Sequence, residues 1–269
     1  MFQSKERRRE RMRETLFPET WRQLLHNAVP LYRRLPDADR EELHGHIQVL
    51  LSEKHFEGAG GLEVTEGIKL IICAHAALLL LHRETDYFPK LITVIVYPEA
   101  YAVKTQTQTD RGVLLDVVET RAGESWTSGT LILAWQDVRR DLARVPATQS
   151  VVLHEFAHQL DAGSGVMNGA PVLSDRELRH HWPEALSAAY ERLSQATRQH
   201  EPTLLRPYGA KNPSEFFAVA ALRDQFIRPL IEVDAYVFFA EPTFESIDGN
   251  IEYRPDILKQ EVVEGNDFI

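Results

Sequence analysis

The 269-residue chain reads as an α+β protein, mostly helical with a small mixed β-sheet. Three observations predict that class. Apolar residues recur at three- and four-residue spacing through much of the chain, as over 37–53, where Leu43, Ile47 and Leu50 share a face. Three short runs, "LITVIVYP", "GVLLDVVE" and "GTLILAW", break that period. They are rich in Val, Ile and Leu and are bounded by Pro, Gly and Asp, as short strands are. None alternates strictly, and helical patterns flank them on both sides, which fits a sheet embedded among helices.

Taken in order, residues 5–14 hold six basic and three acidic side chains with no apolar stripe, which reads as a solvated, frayed helix start. Helices follow over 21–29 and 37–53. "HFEGAGGLEVTE" interrupts them. No Gly-Lys-Ser/Thr follows Gly58, Gly60 and Gly61, so a tight turn needing positive φ is the reading rather than a phosphate loop. Thr65 caps a helix that the apolar run "LIICAHAALLLLH" carries to about Arg83. After the three strands come helices over 148–161, 175–199 and from Asn212 onward. An internal boundary, if the chain has one, falls between "TSGT" and "RVPATQ". The division expected along the chain is a charged arm over 1–14, a main domain over 15–219 and an acidic segment over 220–269.

Composition removes several function classes. Acidic residues outnumber basic ones 40 to 30, a poor match to the basic face that nucleic acid or an anionic membrane requires. From Ala220 to Ile269 there are 11 acidic and 4 basic residues, so most of the net charge of −10 lies in that tail. Cys73, the sole cysteine, excludes an internal disulfide and any cysteine-based zinc finger, and its apolar setting makes it a buried, inert thiol. The charged start lacks a signal peptide's apolar core. The longest apolar run is shorter than the roughly 20 residues that span a bilayer. A cytoplasmic protein without nucleic-acid or membrane partners is expected.

The chemistry concentrates in "VVLHEFAHQLD", residues 151–161. His154 and His158 lie one helical turn apart, about 6 Å along the axis, so both imidazoles can converge on one ion. Zn–N bonds of about 2.0–2.1 Å suit that spacing. Glu155 falls about 100° round the helix from His154, beside the ion, where it can take a proton from a water the ion activates. Leu153, Phe156, Ala157 and Leu160 form an apolar side that can anchor the helix. The bland alternative is two histidines on a helix surface. Only a third ligand separates these readings.

"PYGAKNPSEFFAV" offers one. Asn212 is a good N-cap, Pro213 suits the first helical position, and Glu215 falls three residues after the cap. Glu215 can therefore complete a capping box, or it can be a third metal ligand that leaves a fourth position for water. The residues alone leave both open.

Together "EKHFEGAGGLEVTE", "ESWTSGTLILAWQDV", "VVLHEFAHQLDAGSG" and "YGAKNPSEFFAV" resemble the Mlc titration factor A (MtfA) family of zinc peptidases, over most of the chain. That family is of the gluzincin type, with a catalytic region similar to that of anthrax lethal factor. The resemblance implies a zincin-like fold with the sheet beside the active-site helix, and one zinc ion per chain. It implies His154, His158 and Glu215 as ligands, Glu155 as general base and Tyr208, seven residues before Glu215, as the assisting tyrosine. A phenol there can donate to a developing oxyanion, or it can be a turn aromatic packed on the next helix. The implied activity is that of an aminopeptidase on short peptides. The rival reading is a regulatory protein that sequesters an Mlc-like transcriptional repressor, with zinc structural or peptidase activity secondary.

Other residues carry paired readings. Asp161, about 20° from His154 on a helical wheel, either orients a ligand imidazole or caps the helix end or a nearby turn. Phe216 and Phe217 read as core. Residues 131–135 form either a strand that pairs with extended substrate or a fully buried one. Beyond about Ala221 the sequence departs from the family pattern, and the acidic tail reads as partly disordered or as a separate helical cap.

Overall fold

The computed structural model describes residues 4–108, 114–121, 123–125, 129–143, 150–173, 176–221, 244–247 and 250–253. Four helices open the chain: α1 (Lys5–Arg13), α2 (Glu19–Ala28), α3 (Pro30–Arg34) and α4 (Asp37–Glu53). Strand β1 (His55–Gly58) leads through a turn to α5 (Glu66–Leu78) and β2 (Thr93–Tyr97). A hairpin of β3 (Tyr101–Gln108) and β4 (Leu114–Arg121) precedes β5 (Gly123–Ser125) and β6 (Thr130–Ala134). Helices α6 (Trp135–Leu142), α7 (Val151–Ala162) and α8 (Arg176–Gln199) follow, then a 3-10 turn (Pro207–Ala210), α9 (Pro213–Ala221) and the pair β7 (Phe244–Ile247) and β8 (Asn250–Tyr253). The α+β class expected from the sequence is what forms.

The principal sheet runs β1-β2-β6-β5, with the first three strands parallel and β5 antiparallel to β6. Its centre is dry: Val94 and Val96 of β2 and Leu131 and Leu133 of β6 are fully buried. Strand β6 is bonded on both edges, with Leu131 opposite Val94 on one side and Ser125 on the other. Among the described residues both edges of 131–133 are occupied by neighbouring strands, which leaves no place there for a substrate backbone. Of the two readings of residues 131–135, the buried strand holds, and Trp135 begins a helix instead of ending the strand.

Helix α5 starts as expected, with Thr65 Oγ1 accepting from the Ile68 amide at 3.3 Å. It ends five residues before Arg83. The amides of Leu79 and Leu80 bond three residues back, to Ala76 and Ala77, and His82 has φ of 56°. Leu79, Leu80 and Leu81 stay buried, so the apolar pattern continues past the helix. The His82 amide is drawn instead to Glu42 Oε1 of α4 at 2.7 Å. Tertiary packing outweighs the local pattern there. Gly60 and Gly61 take φ of 61° and 81°, the turn conformation expected of that segment. Cys73 is buried, and burial pushes its thiol well above the ordinary range, which makes it unreactive.

The charged start is a helix whose side chains are mostly exposed, as expected, with one exception. Arg9 is only 3% exposed. Its Nε and Nη2 donate to the two carboxylate oxygens of Glu53, both at 2.8 Å, and its Nη1 donates to Asp86 at 2.6 Å. The guanidinium also lies 4.6 Å from the centre of the Tyr87 ring. A planar, two-pronged donor buried this way fastens α1 to the end of α4 and to the loop before β2. Met12 packs partly buried against the core beside it and Arg13 donates to the Tyr87 hydroxyl at 3.2 Å, so Arg9 is the buried member of a wider contact.

Residues 144–149 and the first half of "TSGT" lie outside the described residues, and with them part of the candidate internal boundary. Beyond residue 221 the described residues are the antiparallel pair β7–β8, where the sequence suggests a helical cap or disorder. No helix among the described residues is long and apolar enough to cross a membrane.

Replacing Arg9 with Ala takes from the half-buried Glu53 its two-pronged partner, leaving the longer contact with Arg8 at 3.5 Å, and should lower the free energy of unfolding in urea by about 2 kcal/mol. Lys5→Ala, which removes an exposed pair with Asp86, should change it by less than about 1 kcal/mol. Equal effects would mean that α1 is not held through Arg9.

Candidate metal centre

Helix α7 is fixed at its start by two side chains. Ser150 Oγ accepts from the Leu153 amide at 3.2 Å, and Asp141 of α6 accepts from the Val151 amide at 2.9 Å. Val152, Leu153, Phe156 and Ala157 pack into the core, with the Phe156 ring meeting that of Phe88 edge-on at 4.9 Å. The opposite face carries His154 and His158. Glu155 lies beside them, buried, and its charge acts on both His158 and Tyr208.

Helix α9 supplies the rest. Asn212 Oδ1 caps it by accepting from the Glu215 amide at 2.9 Å, so the cap inferred from the sequence forms. The Glu215 carboxylate does not complete a capping box. It turns towards α7, with Oε2 at 3.0 Å from His154 Nε2 and 3.3 Å from His158 Nε2. The two Nε2 atoms are themselves 3.2 Å apart. Phe216 and Phe217, the next residues, are almost fully buried and face Tyr190 and Trp182 of α8, as core residues should.

This triangle can be tested for fit to an ion. Bonds of about 2.0–2.1 Å at a tetrahedral angle hold ligand atoms about 3.3 Å apart. The observed separations of 3.0–3.3 Å match that geometry. Glu215 Oε2 is buried and receives no well-directed hydrogen bond among the described residues, although two imidazole nitrogens crowd it. Lone-pair atoms converging on one point call for a cation between them. His154, His158 and Glu215 are also the only group of metal-ligating side chains this compact among the described residues.

The buried charges also act on one another. Burial works to raise the Glu215 carboxyl, yet its close contacts with both imidazoles hold it well below the usual carboxylate range. Burial lowers His154, and the charges of His158 and Arg206 add to that. His158 is raised, because contacts with Glu215 and the charges of Glu155 and Asp161 outweigh its burial.

Tyr208 stands at the rim on the 3-10 turn, about half exposed. Its hydroxyl donates to Glu215 Oε1 at 3.1 Å, and its ring centre lies 5.9 Å from that of His154. Burial of the phenol and the Glu215 charge push it up to about 12, so it keeps the proton a donor needs. Arg206 and Lys211 flank the ring, at 6.0 and 5.5 Å.

All five residues singled out from the sequence thus meet in one place. Two were missed. Lys211 approaches Glu215 Oε1 at 3.8 Å, and Ser214 joins Asp161 to His158 from behind. Ser214 sits directly before Glu215, and the only sequence signal was that adjacency.

A donor set of two imidazoles and a carboxylate, with a second buried carboxylate alongside, is the equipment of a metallopeptidase. Comparison with known families makes this specific. The family described as glucose-regulated metallo-peptidase M90 matches residues 3–226, and the chain belongs to it. The match takes in α1 and ends before the greater part of the acidic tail. An uncharacterised protein of Synechocystis sp. is 39% identical over 203 residues, covering 75% of this chain and 74% of that protein. Proteins named Mlc titration factor A from Yersinia pestis and Yersinia pseudotuberculosis are each 28% identical over 204 residues, covering 74% of this chain and 73% of theirs.

Glu215→Gln keeps the α9 cap and the side-chain shape but weakens the third ligand. Zinc affinity measured by chelator competition should fall by more than about 100-fold, with the circular dichroism spectrum unchanged. Undiminished affinity would return Glu215 to a purely structural role.

Proposed function

We propose that the protein is a zinc-dependent peptidase, acting as an aminopeptidase on short peptides, with one ion held by His154, His158 and Glu215. The convergence of Nε2, Nε2 and Oε2 within 3.3 Å of one another carries this reading. Bound zinc would supply Lewis acidity that polarises the scissile carbonyl and lowers the pKa of water towards 7. The protein's own groups do the rest. Glu155 takes the proton from the attacking water and later delivers it to the leaving amine. Glu155 is 6% exposed, so its charge is little screened by solvent. The Tyr208 hydroxyl exchanges its bond to Glu215 for one to the developing oxyanion, a shift available to a half-exposed side chain on a short turn.

The aminopeptidase specificity rests on the family resemblance, and so does a cytoplasmic location. A second reading is supported by the relatives named Mlc titration factor A: a regulatory role in which the chain binds a transcriptional repressor. The segment beyond residue 226 lies outside the family match, so a partner contact made there would be particular to this chain.

Hydrolysis of amino-acid anilides separates these readings. Activity should vanish on chelation and return with zinc. Glu155→Gln should cut kcat by about 10³-fold while zinc stays bound. Normal turnover in that variant would remove Glu155 as the base, and zinc binding without hydrolysis of any N-free or N-blocked peptide would favour the regulatory role.

A further inference from the structure

Behind the metal-facing side of His158 runs a chain of hydrogen bonds that the proposed catalytic roles do not use. His158 Nδ1 lies 3.0 Å from Ser214 Oγ, and Ser214 Oγ donates to Asp161 Oδ2 at 2.7 Å. Asp161 is fully buried, one turn beyond His158 on α7. Its carboxylate also accepts from the Gly169 amide, at 2.8 Å to Oδ1 and 2.9 Å to Oδ2, and from the Asn168 amide at 3.3 Å. A carboxylate only accepts, so the Ser214 proton must point to Asp161 and its lone pair must face His158. Nδ1 therefore carries the ring proton, and Nε2 presents its lone pair to His154 and Glu215.

The carboxylate is held from its far side as well. Gly169 has φ of 81°, and a Cβ there would fall 2.7 Å from the Pro213 carbonyl oxygen, so only glycine lets this loop lie against the start of α9. The Gly169 carbonyl accepts from Trp182 Nε1 of α8 at 2.8 Å. The amides that grip Asp161 are thus locked by α8 and α9 together.

We propose that Ser214 and Asp161 are positioning residues that fix the Nδ1–H tautomer and the ring orientation of His158, and so set the protein's affinity for its metal. The proposal rests on the metal-binding reading above. It gives the first turn of α9 two tasks: Glu215 faces the ion, while its neighbour Ser214 fixes a ligand on the other helix.

The relay predicts an asymmetry between two variants. Ser214→Ala removes the acceptor, and loss of such an outer partner weakens metal binding by about 10–100-fold. Asp161→Asn is nearly isosteric but reverses the chain. Its amide keeps one oxygen for Gly169 and turns its N–H towards Ser214. The serine then donates to Nδ1 and drives the ring proton onto Nε2, the atom the ion needs.

The test has two readouts. Nitrogen-15 NMR of the zinc-free protein, at a pH raised until the imidazole signals no longer shift, reports which nitrogen of His158 carries hydrogen in the neutral ring. We expect Nδ1–H in the native protein and Nε2–H in Asp161→Asn. Zinc affinity by chelator competition should fall about 10–100-fold in Ser214→Ala and at least as far in Asp161→Asn, with Ser214→Thr restoring most of it. An unchanged tautomer in Asp161→Asn, or affinity within about threefold of native in Ser214→Ala, overturns the proposal. If Asp161→Asn fails to fold, Ser214→Ala decides alone. The tautomer is measured without metal, so it stands even if Glu215→Gln shows that zinc does not bind here.

Discussion

Everything in this molecule that bears on chemistry depends on the contact between α7 and α9, two helices from separate stretches of the chain. Three atoms with lone pairs, two on imidazoles and one on a carboxylate, are brought within 3.3 Å of one another. Such an arrangement is costly without a positive charge at its centre, because burial strips each group of solvent and the lone pairs repel. The fold meets that cost by anchoring each helix in the core, α7 through Phe156 and α9 through Phe216 and Phe217, all nearly fully buried, and by the Asp161–Ser214–His158 hydrogen bonds. Packing brings the helices together, and the polar bonds set their register.

The sheet and the N-terminal helices support this contact from the outside. Strand β6 runs directly into α6, whose Asp141 caps the start of α7, so the sheet and the histidine-bearing helix are joined through α6. Elements built this way hold a site more precisely than loops do. The rim is different. Tyr208 sits on a short 3-10 turn, half exposed and flanked by Arg206 and Lys211, and has the freedom to trade one acceptor for another. A half-exposed phenol above a buried cluster of imidazoles and carboxylate is the arrangement on which the proposed reaction draws.

Much of this was legible in the sequence, and the reasons are local ones. His154 and His158 declare themselves because helical geometry alone puts positions i and i+4 on one face. Asn212 and Pro213 mark a helix start by capping chemistry, and Asn212 does cap it. Glu215 was ambiguous because a cap partner and a ligand occupy the same position in sequence, and only the approach of α7 decides where the carboxylate turns. Ser214 was missed because its task is set by two residues more than fifty positions away. Strand β1 and helix α6 were not anticipated. The first is four residues long and mostly polar, and the second begins at a tryptophan that also completes the pattern of a strand. Arg9 illustrates the same limit, since a charged run looks solvated until Glu53 and Asp86 are placed around one of its members.

Zinc K-edge X-ray absorption on the zinc-loaded protein tests the central claim most directly. Four nitrogen or oxygen neighbours at about 2.0–2.1 Å, with the outer-shell scattering of two imidazoles, are the predicted result. A six-coordinate shell of oxygen alone, or scattering from fewer than two imidazoles, would contradict the account.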